Sequence, residues 1–384
     1  MKILFFAIDY RPLLGGIATY TEELALSLSK DDEIVVLAPW MKNAHLYDNK
    51  NPFKTVRVIN IWALREFMFI IYLFYYIVFR GYKKILSQVW FPCGLITYFL
   101  SFFIRFDYYC AAFGSDYLDD ITTHKRRIKY RLFPLKIRTF NASKKVLAIS
   151  NYSADRLVEM GVKKENIEII TPGADIKKFI PGNPSEQFIT KYNLKNKRVI
   201  LTVARLDLHK GHDLVIKVLP RVLEKFLDVY YYIVGEGPER TYLENLVSER
   251  NLKERVIFVG YVSEEEMIEF YQTCEIFVMP SREIRADLVE GFGITLVEAA
   301  ACEKVAIGGR SGGVINAVFD GTSGILIDPQ SEEELFLVLD KFLSDKEMRK
   351  QFGIQARKWV EKERTWEVSA SKIKEVMLSK PKKN

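Results

Sequence analysis

At 384 residues the chain is longer than one hydrophobic core usually organises, and two domains of common size fit it comfortably. Apolar residues make up 49% and charged residues 27%, a globular balance that excludes a disordered or fibrous chain, although 26 Phe and 20 Tyr are many for a purely soluble enzyme. The formal charge of +7 is moderate and gathers in no nucleic-acid-like tract, so the partners it favours are phosphates or an anionic surface.

The opening MKILFFAIDYRP has one cation, Lys2, before a short apolar run and lacks a small-residue cleavage site. It reads as a first buried strand rather than a signal peptide, and the expected compartment is the cytoplasm. The loop that follows, DYRPLLGGIATY, sets Gly15 and Gly16 ahead of the helix IATYTEELALSLS, whose Ile17, Tyr20, Leu24 and Leu28 share a face. Bare backbone at a helix start can receive a phosphate, and it can equally make a tight turn; both readings stand, and the spacing is not the dinucleotide fingerprint. Further strands read EIVVLAP, TVRVINI, KILSQV, DYYCAA and KKVLAIS.

Between them lies an unbroken apolar run from Phe67 to Phe79, closed by Arg80 and Lys83, and a second apolar region from Val89 to Ile104. A membrane span needs about 20 apolar residues, so the first is too short, and Pro92 and Gly94 interrupt the second. Three readings stand: helices buried in the first domain, a face that dips into a membrane, or an inserted hairpin. The stretch HKRRIKYRLFPLKIR, residues 124–138, interleaves seven Lys and Arg with apolar residues, which suits an anionic lipid surface or a solvated charged helix.

After IEIITPG the text loosens into ADIKKFIPGNPSEQF, a linker near residues 178–196, and RVILTVA starts the alternation again. VYYYIVG, RVIFVG, EIFVMPS, KVAIGG and GILIDP are the later strands, and the last 40 or so residues are helical. The expected fold is therefore α/β: two doubly wound, Rossmann-like domains at 1–180 and 196–365 without a sequence repeat, and a last helix at 366–384 packing back on the first. Cys93, Cys110, Cys274 and Cys302 lie far apart in apolar runs, as reduced core residues do.

In such sheets the loops beyond the C-terminal strand ends carry the chemistry. VARLDLHKGHD places Arg205 and Lys210 together before a helix, two cations suited to a diphosphate. EGFGITLVEAA places Glu290 before the turn Phe292, Gly293, Ile294, Thr295 and puts Glu298 in the helix that starts there. One carboxylate can face a sugar and the other a ribose, with helix-start amides between them for phosphate oxygens. An unpaired Glu298 amid LVEAAAC would be costly. GRSGGV, residues 309–314, is by itself a turn signal.

Together these residues resemble glycosyltransferase family 4, which includes the bacterial phosphatidylinositol mannosyltransferases, over nearly the whole chain. The most specific piece is E-x7-E, Glu290 to Glu298; GGIATY, RLDLHKG, VGEGPER (234–240), FVGYVSEEEM (258–267), and SGGV followed by DGTSGILIDP support it in order. The resemblance implies a GT-B fold with the donor cleft between two facing domains, a GDP- or UDP-sugar donor, retention of configuration, and no cofactor or obligatory metal. It implies further that Arg205 and Lys210 clamp the donor diphosphate, Glu290 meets the donor sugar hydroxyls and Glu298 the ribose, and Gly16 approaches the diphosphate from the other domain. Val262 and the turn from Gly235 through Gly237 to Pro238 would form the base-binding edge. Where family members often carry a His, this chain has AAFGSD, residues 111–116, so Asp116 is the expected polar residue on the acceptor side. The implied activity moves a hexosyl group, mannose or similar, to a glycan or lipid-linked acceptor; if the aromatic and basic segments of the first domain form a cationic face with an apolar ridge, the enzyme is expected to lie peripherally on the inner face of the cell membrane. The competing reading is a membrane-associated binding protein of the same fold with a vestigial site. A nicotinamide oxidoreductase is disfavoured by the missing fingerprint and a sugar phosphorylase by the absence of a recognisable pyridoxal lysine site.

Overall fold

The computed structural model describes residues 1–114, 133–285 and 288–379. The chain divides into two compact units, Met1–Pro172 with Trp366–Asn384, and Gly173–Thr365. The segment 178–196 thus lies inside the second unit, where residues Glu186–Lys191 form a short helix.

The first unit is built on seven parallel strands in the order β3-β2-β1-β4-β5-β6-β7. They are β1 (Lys2–Phe6), β2 (Glu33–Pro39), β3 (Lys54–Val58), β4 (Lys84–Ser87), β5 (Asp107–Ala112), β6 (Lys145–Ala148) and β7 (Ile167–Ile169). Helices on both faces require strands that are apolar on both sides, and Ile3, Leu4, Phe5 and Phe6 are accordingly all buried. The helix α1 (Gly16–Leu28) turns Tyr20, Leu24 and Leu28 inward. The last helix, Trp366–Leu378, packs on α1: the Tyr20 and Trp366 rings meet edge to face at 5.8 Å, and Lys374 reaches Asp31 at 2.6 Å and Asp32 at 3.1 Å.

The structure bears on the aromatic and basic segments, for which several readings stood open. The apolar run forms a helix over Leu64–Val78 that buries one face, Phe69, Leu73, Tyr76 and Ile77, and leaves Phe67, Ile70, Ile71, Phe74 and Val78 exposed. No described helix is long and apolar enough to cross a membrane. Of the basic stretch, residues 124–132 lie outside the described residues. In the part that is described, the helix Phe133–Ala142, Lys136 is buried with its ammonium 5.5 Å from the Trp90 and Phe133 ring centroids. Cation–π attraction and an apolar stem let it enter the core, so it adds nothing to an outer cationic face.

The second unit holds six parallel strands, β10-β9-β8-β11-β12-β13, with β8 (Arg198–Val203), β9 (Val229–Val234), β10 (Val256–Gly260), β11 (Ile276–Met279), β12 (Val305–Gly309) and β13 (Gly324–Ile327). One core of Ile200, Val215, Leu219, Tyr231, Ile233 and Ile307 packs the sheet against its helices. The order reverses between β8 and β11, and at such a switch point the loops part to leave a crevice beyond the C-terminal strand ends. All four cysteines are buried.

Candidate functional site

The switch point of the second unit brings together the loops after β8 and β11, which carry Lys210 and Glu290. Their side chains form an ion pair in which the Lys210 ammonium donates to Glu290 Oε2, with 16% and 14% of each side chain exposed. Glu290 Oε1 also accepts the Phe292 N–H at 3.3 Å. Burial pushes the Glu290 carboxyl upward, but the Lys210 charge and hydrogen bond outweigh it and hold the group below its ordinary range. The neighbouring His209 is driven down to about 4, first by burial and then by Lys210, and is neutral at pH 7. Arg205 stays 66% exposed, its Nε 3.4 Å from Asp207.

The crevice is thus lined by one buried and one exposed cation. What seats the β8 loop is a buried polar chain. His212 Nε2 lies 3.0 Å from the Arg205 carbonyl, which can only accept, so this nitrogen carries the proton. Its Nδ1 is then an acceptor 3.3 Å from the Tyr231 hydroxyl, which lies 2.8 Å from the Thr202 hydroxyl beside the Val278 carbonyl, so two hydroxyl protons are shared among these three contacts. Burial lowers His212 to about 4, consistent with this neutral tautomer. The two loops are also tied directly: Arg282 N–H donates to the His209 carbonyl at 2.8 Å, and its guanidinium pairs with the buried Asp213 at 2.8 Å.

The Glu290 loop rests on the glycine segment 309–314. Gly313 N–H donates to the Glu290 carbonyl at 2.8 Å, and a Cβ at Gly313 would lie 1.8 Å from the Gly291 carbonyl oxygen. Only glycine allows that approach, so this segment seats the loop that carries Glu290.

Phe292 is buried, and Gly293 caps the helix Ile294–Ala301 in a left-handed conformation at φ +96°. Ile294 and Thr295 form its first turn, where amides lack partners within the helix; the Thr295 hydroxyl faces Met279 Sδ at 3.6 Å. Glu298, one turn on, is buried and accepts the Tyr271 hydroxyl at 2.7 Å. Tyr271, whose own proton is held by burial and by Glu298, carries no sequence signal that would have found it. Gly235, at φ +134°, packs against the Ala204 carbonyl, where a Cβ would come within 2.1 Å. Its N–H donates to the Gly260 carbonyl at 2.9 Å, so the turn holding Gly235 and Gly237 and the loop holding Val262 lie side by side.

Gly15 and Gly16 belong to the first unit. Gly15 takes φ 147° and ψ 163°, a region reserved for glycine, and a Cβ there would meet nothing within 4 Å, so backbone conformation rather than crowding demands it. Asp116 lies outside the described residues.

The chain matches two family models, Glycosyltransferase Family 4 over residues 14–178 and Glycosyl transferases group 1 over residues 184–359. It is 26% identical over 389 residues to a GDP-mannose-dependent alpha-(1-6)-phosphatidylinositol monomannoside mannosyltransferase of Mycolicibacterium smegmatis, covering 98% of each chain. It is 28% identical over 394 residues to an uncharacterised glycosyltransferase of Methanocaldococcus jannaschii, covering 98% of this chain and 97% of the other. Among solved structures it resembles Anabaena HepE in complex with UDP and glucose, at TM-score 0.78 and 20% identity over 99% and 100% of the two chains. Sucrose-phosphate synthase from Thermosynechococcus elongatus gives TM-score 0.77 at 21% identity over 98% of each chain. At those identities the structures speak for the fold alone, which is GT-B. Matched by the two models over most of its length, the chain belongs to the family 4 glycosyltransferases, enzymes that transfer a sugar from a nucleotide-sugar donor.

Proposed function

We propose that this enzyme moves a hexosyl group, mannose or a close analogue, from a nucleoside-diphosphate sugar to a lipid-linked or glycan acceptor, with retention of configuration and without an obligatory metal. The observation that carries the reading is the Lys210–Glu290 pair at the switch point, a cation and a carboxylate set 80 residues apart in sequence and held together by the loops of two strands. Relatives matching nearly the whole chain are described as GDP-mannose-dependent and as acting on a phosphatidylinositol monomannoside, which favours GDP-mannose and an acceptor of that lipid-linked kind.

In this reading the departing diphosphate gathers negative charge that Lys210 and the first-turn amides of the helix Ile294–Ala301 meet from fixed positions, while the exposed Arg205 is ordered onto it. Preorganised charge of this sort supplies most of the catalysis. Glu290 holds donor sugar hydroxyls and, through its pairing, fixes Lys210. Glu298 takes the ribose, oriented by Tyr271. Gly235, Gly237 and Val262 present backbone to the base, and Gly15 and Gly16 offer a second amide terminus in the first unit. The acceptor hydroxyl attacks from the face the leaving group vacates, and a donor phosphate oxygen takes its proton, so no protein base is required; Asp116 orients the acceptor.

A panel of nucleotide sugars read by thermal stabilisation tests this. A true donor at a hundred times its dissociation constant stabilises by about 2.7 kcal/mol, and GDP-mannose is the expected hit. If no GDP- or UDP-sugar shifts the transition, the donor reading fails. If one binds and is never turned over with any lipid or glycan acceptor, the vestigial binding protein takes its place.

A further inference from the structure

The helix Leu64–Val78 is apolar on both sides. Its inner face is core, and its outer face, Phe67, Ile70, Ile71, Phe74 and Val78, repeats at helical spacing and stands 40% or more exposed. No Asp, Glu, Lys or Arg lies between Glu66 and Arg80. A surface helix normally turns polar residues outward, and an outward apolar stripe of this length marks a contact surface. Trp62, 85% exposed, sits just before the helix, and the helix packs against Leu95–Ser101, which is followed by Phe103, also 85% exposed.

We propose that this face is a lipid-bilayer seat, with the helix lying in the plane of the membrane and its outer side chains in the acyl boundary. The charges around it select lipid over a second protein chain. Arg80, Lys83 and Arg105 are exposed at its edges, while the one acid of the helix, Glu66, is tied up with Arg65 and the Ala63 N–H. An apolar band with exposed cations just past its end matches the acyl and headgroup layers of an anionic leaflet. At 15 residues the helix is about 22 Å long, short of the roughly 30 Å hydrocarbon core, so it lies in the surface and does not cross. The seat differs from one formed by the basic stretch 124–138, because it works through apolar insertion and therefore withstands salt. It draws its purpose from the lipid-linked acceptor proposed above, and its physics from the helix alone.

The test uses the full chain and vesicles of neutral phosphatidylcholine carrying brominated acyl chains, at about 1 M salt, where the Debye length is roughly 3 Å and electrostatic attraction is screened. The protein should pellet with the vesicles and its tryptophan emission should be quenched. Trp62→Phe should still pellet while losing most of that quenching. The triple variant Phe67→Glu, Ile71→Glu, Phe74→Glu should partition roughly a hundredfold less, since three side chains would no longer leave water for hydrocarbon. These side chains already face solvent, so its melting temperature and its stabilisation by a nucleoside diphosphate should match wild type. Wild type remaining in the supernatant, or pelleting without quenching through Trp62, overturns the seat. So does a lipid-free dimer that the triple variant dissolves, which would make a second copy the occupant. Failure of the nucleotide-sugar panel would instead strike the enzymatic reading and leave these vesicle results standing.

Discussion

Replacing Lys210 or Glu290 singly should cost stability as well as activity, and replacing both should cost less than the singles imply. Each side chain is about six-sevenths buried, so the survivor of a single change keeps a charge largely removed from water. Breaking a fully buried pair from one side costs about 3 to 5 kcal/mol, and the residual exposure of this pair brings the expectation to about 2 to 3 kcal/mol. For a unit of this size each kcal/mol moves the melting temperature by about 2 to 4 °C, so Lys210→Met and Glu290→Gln should each melt roughly 5 to 10 °C lower. The double variant buries neither charge and should recover part of that loss, giving a coupling of about 2 kcal/mol. Urea unfolding of wild type, both singles and the double closes the cycle, and transfer measured on the folded Lys210→Met protein should fall by about 10²- to 10³-fold, as loss of one charge-stabilising donor does. A coupling under about 0.5 kcal/mol, the level of independent sites, would refute the pair as the organising contact of the crevice.

His209 and His212 are both held near 4, below their unfolded value of about 6.5, so the unfolded chain binds more protons across that window. Stability conferred by keeping them neutral is complete above pH 6.5 and is lost as pH falls toward 4; urea midpoints should rise over this range, and His212→Gln should flatten the slope by up to one proton. Gly313→Ala forces a methyl into the Gly291 carbonyl and should lower both the melting temperature and nucleoside-diphosphate binding, whereas Gly321→Ala, with open space around it, should spare binding. Chelation by EDTA should leave the transfer rate unchanged if, as proposed, Arg205 and Lys210 meet the diphosphate charge; loss of rate restored by Mg²⁺ or Mn²⁺ would count against that arrangement.

The strands were legible because a parallel sheet covered on both faces writes itself as short continuous aliphatic runs such as KILFF and RVILTV, and a crossover helix between each pair leaves little choice of layer order. The positions of Lys210 and Glu290 beyond strand ends followed from the same alternation. Their mutual burial did not, because pairing across 80 residues depends on which strands become neighbours at the reversal, and a local pattern does not record it. The glycines of GRSGGV looked like turn punctuation, since the carbonyls they receive, at Glu290 and Gly291, belong to another loop.

Burial of charge escaped the sequence for a related reason. Lys136 reads as one more cation in a basic stretch, and nothing local records that the Trp90 and Phe133 rings lie beside its ammonium in the interior. Glu298 was recognisably too apolar in its surroundings to be unpaired, yet the hydroxyl that meets it comes from Tyr271 on another helix. In both cases composition shows that a charge needs a partner, while the fold alone decides whether the partner is protein or ligand. That distinction bears on the site itself. Glu298 already has a protein hydroxyl on one oxygen, so a ribose would join an oriented carboxylate. Arg205 has its guanidinium largely in water, so it is the group whose ordering a diphosphate must supply. Binding entropy at this site should therefore be lost mainly in the β8 loop, and the helix Ile294–Ala301 should bind as it stands.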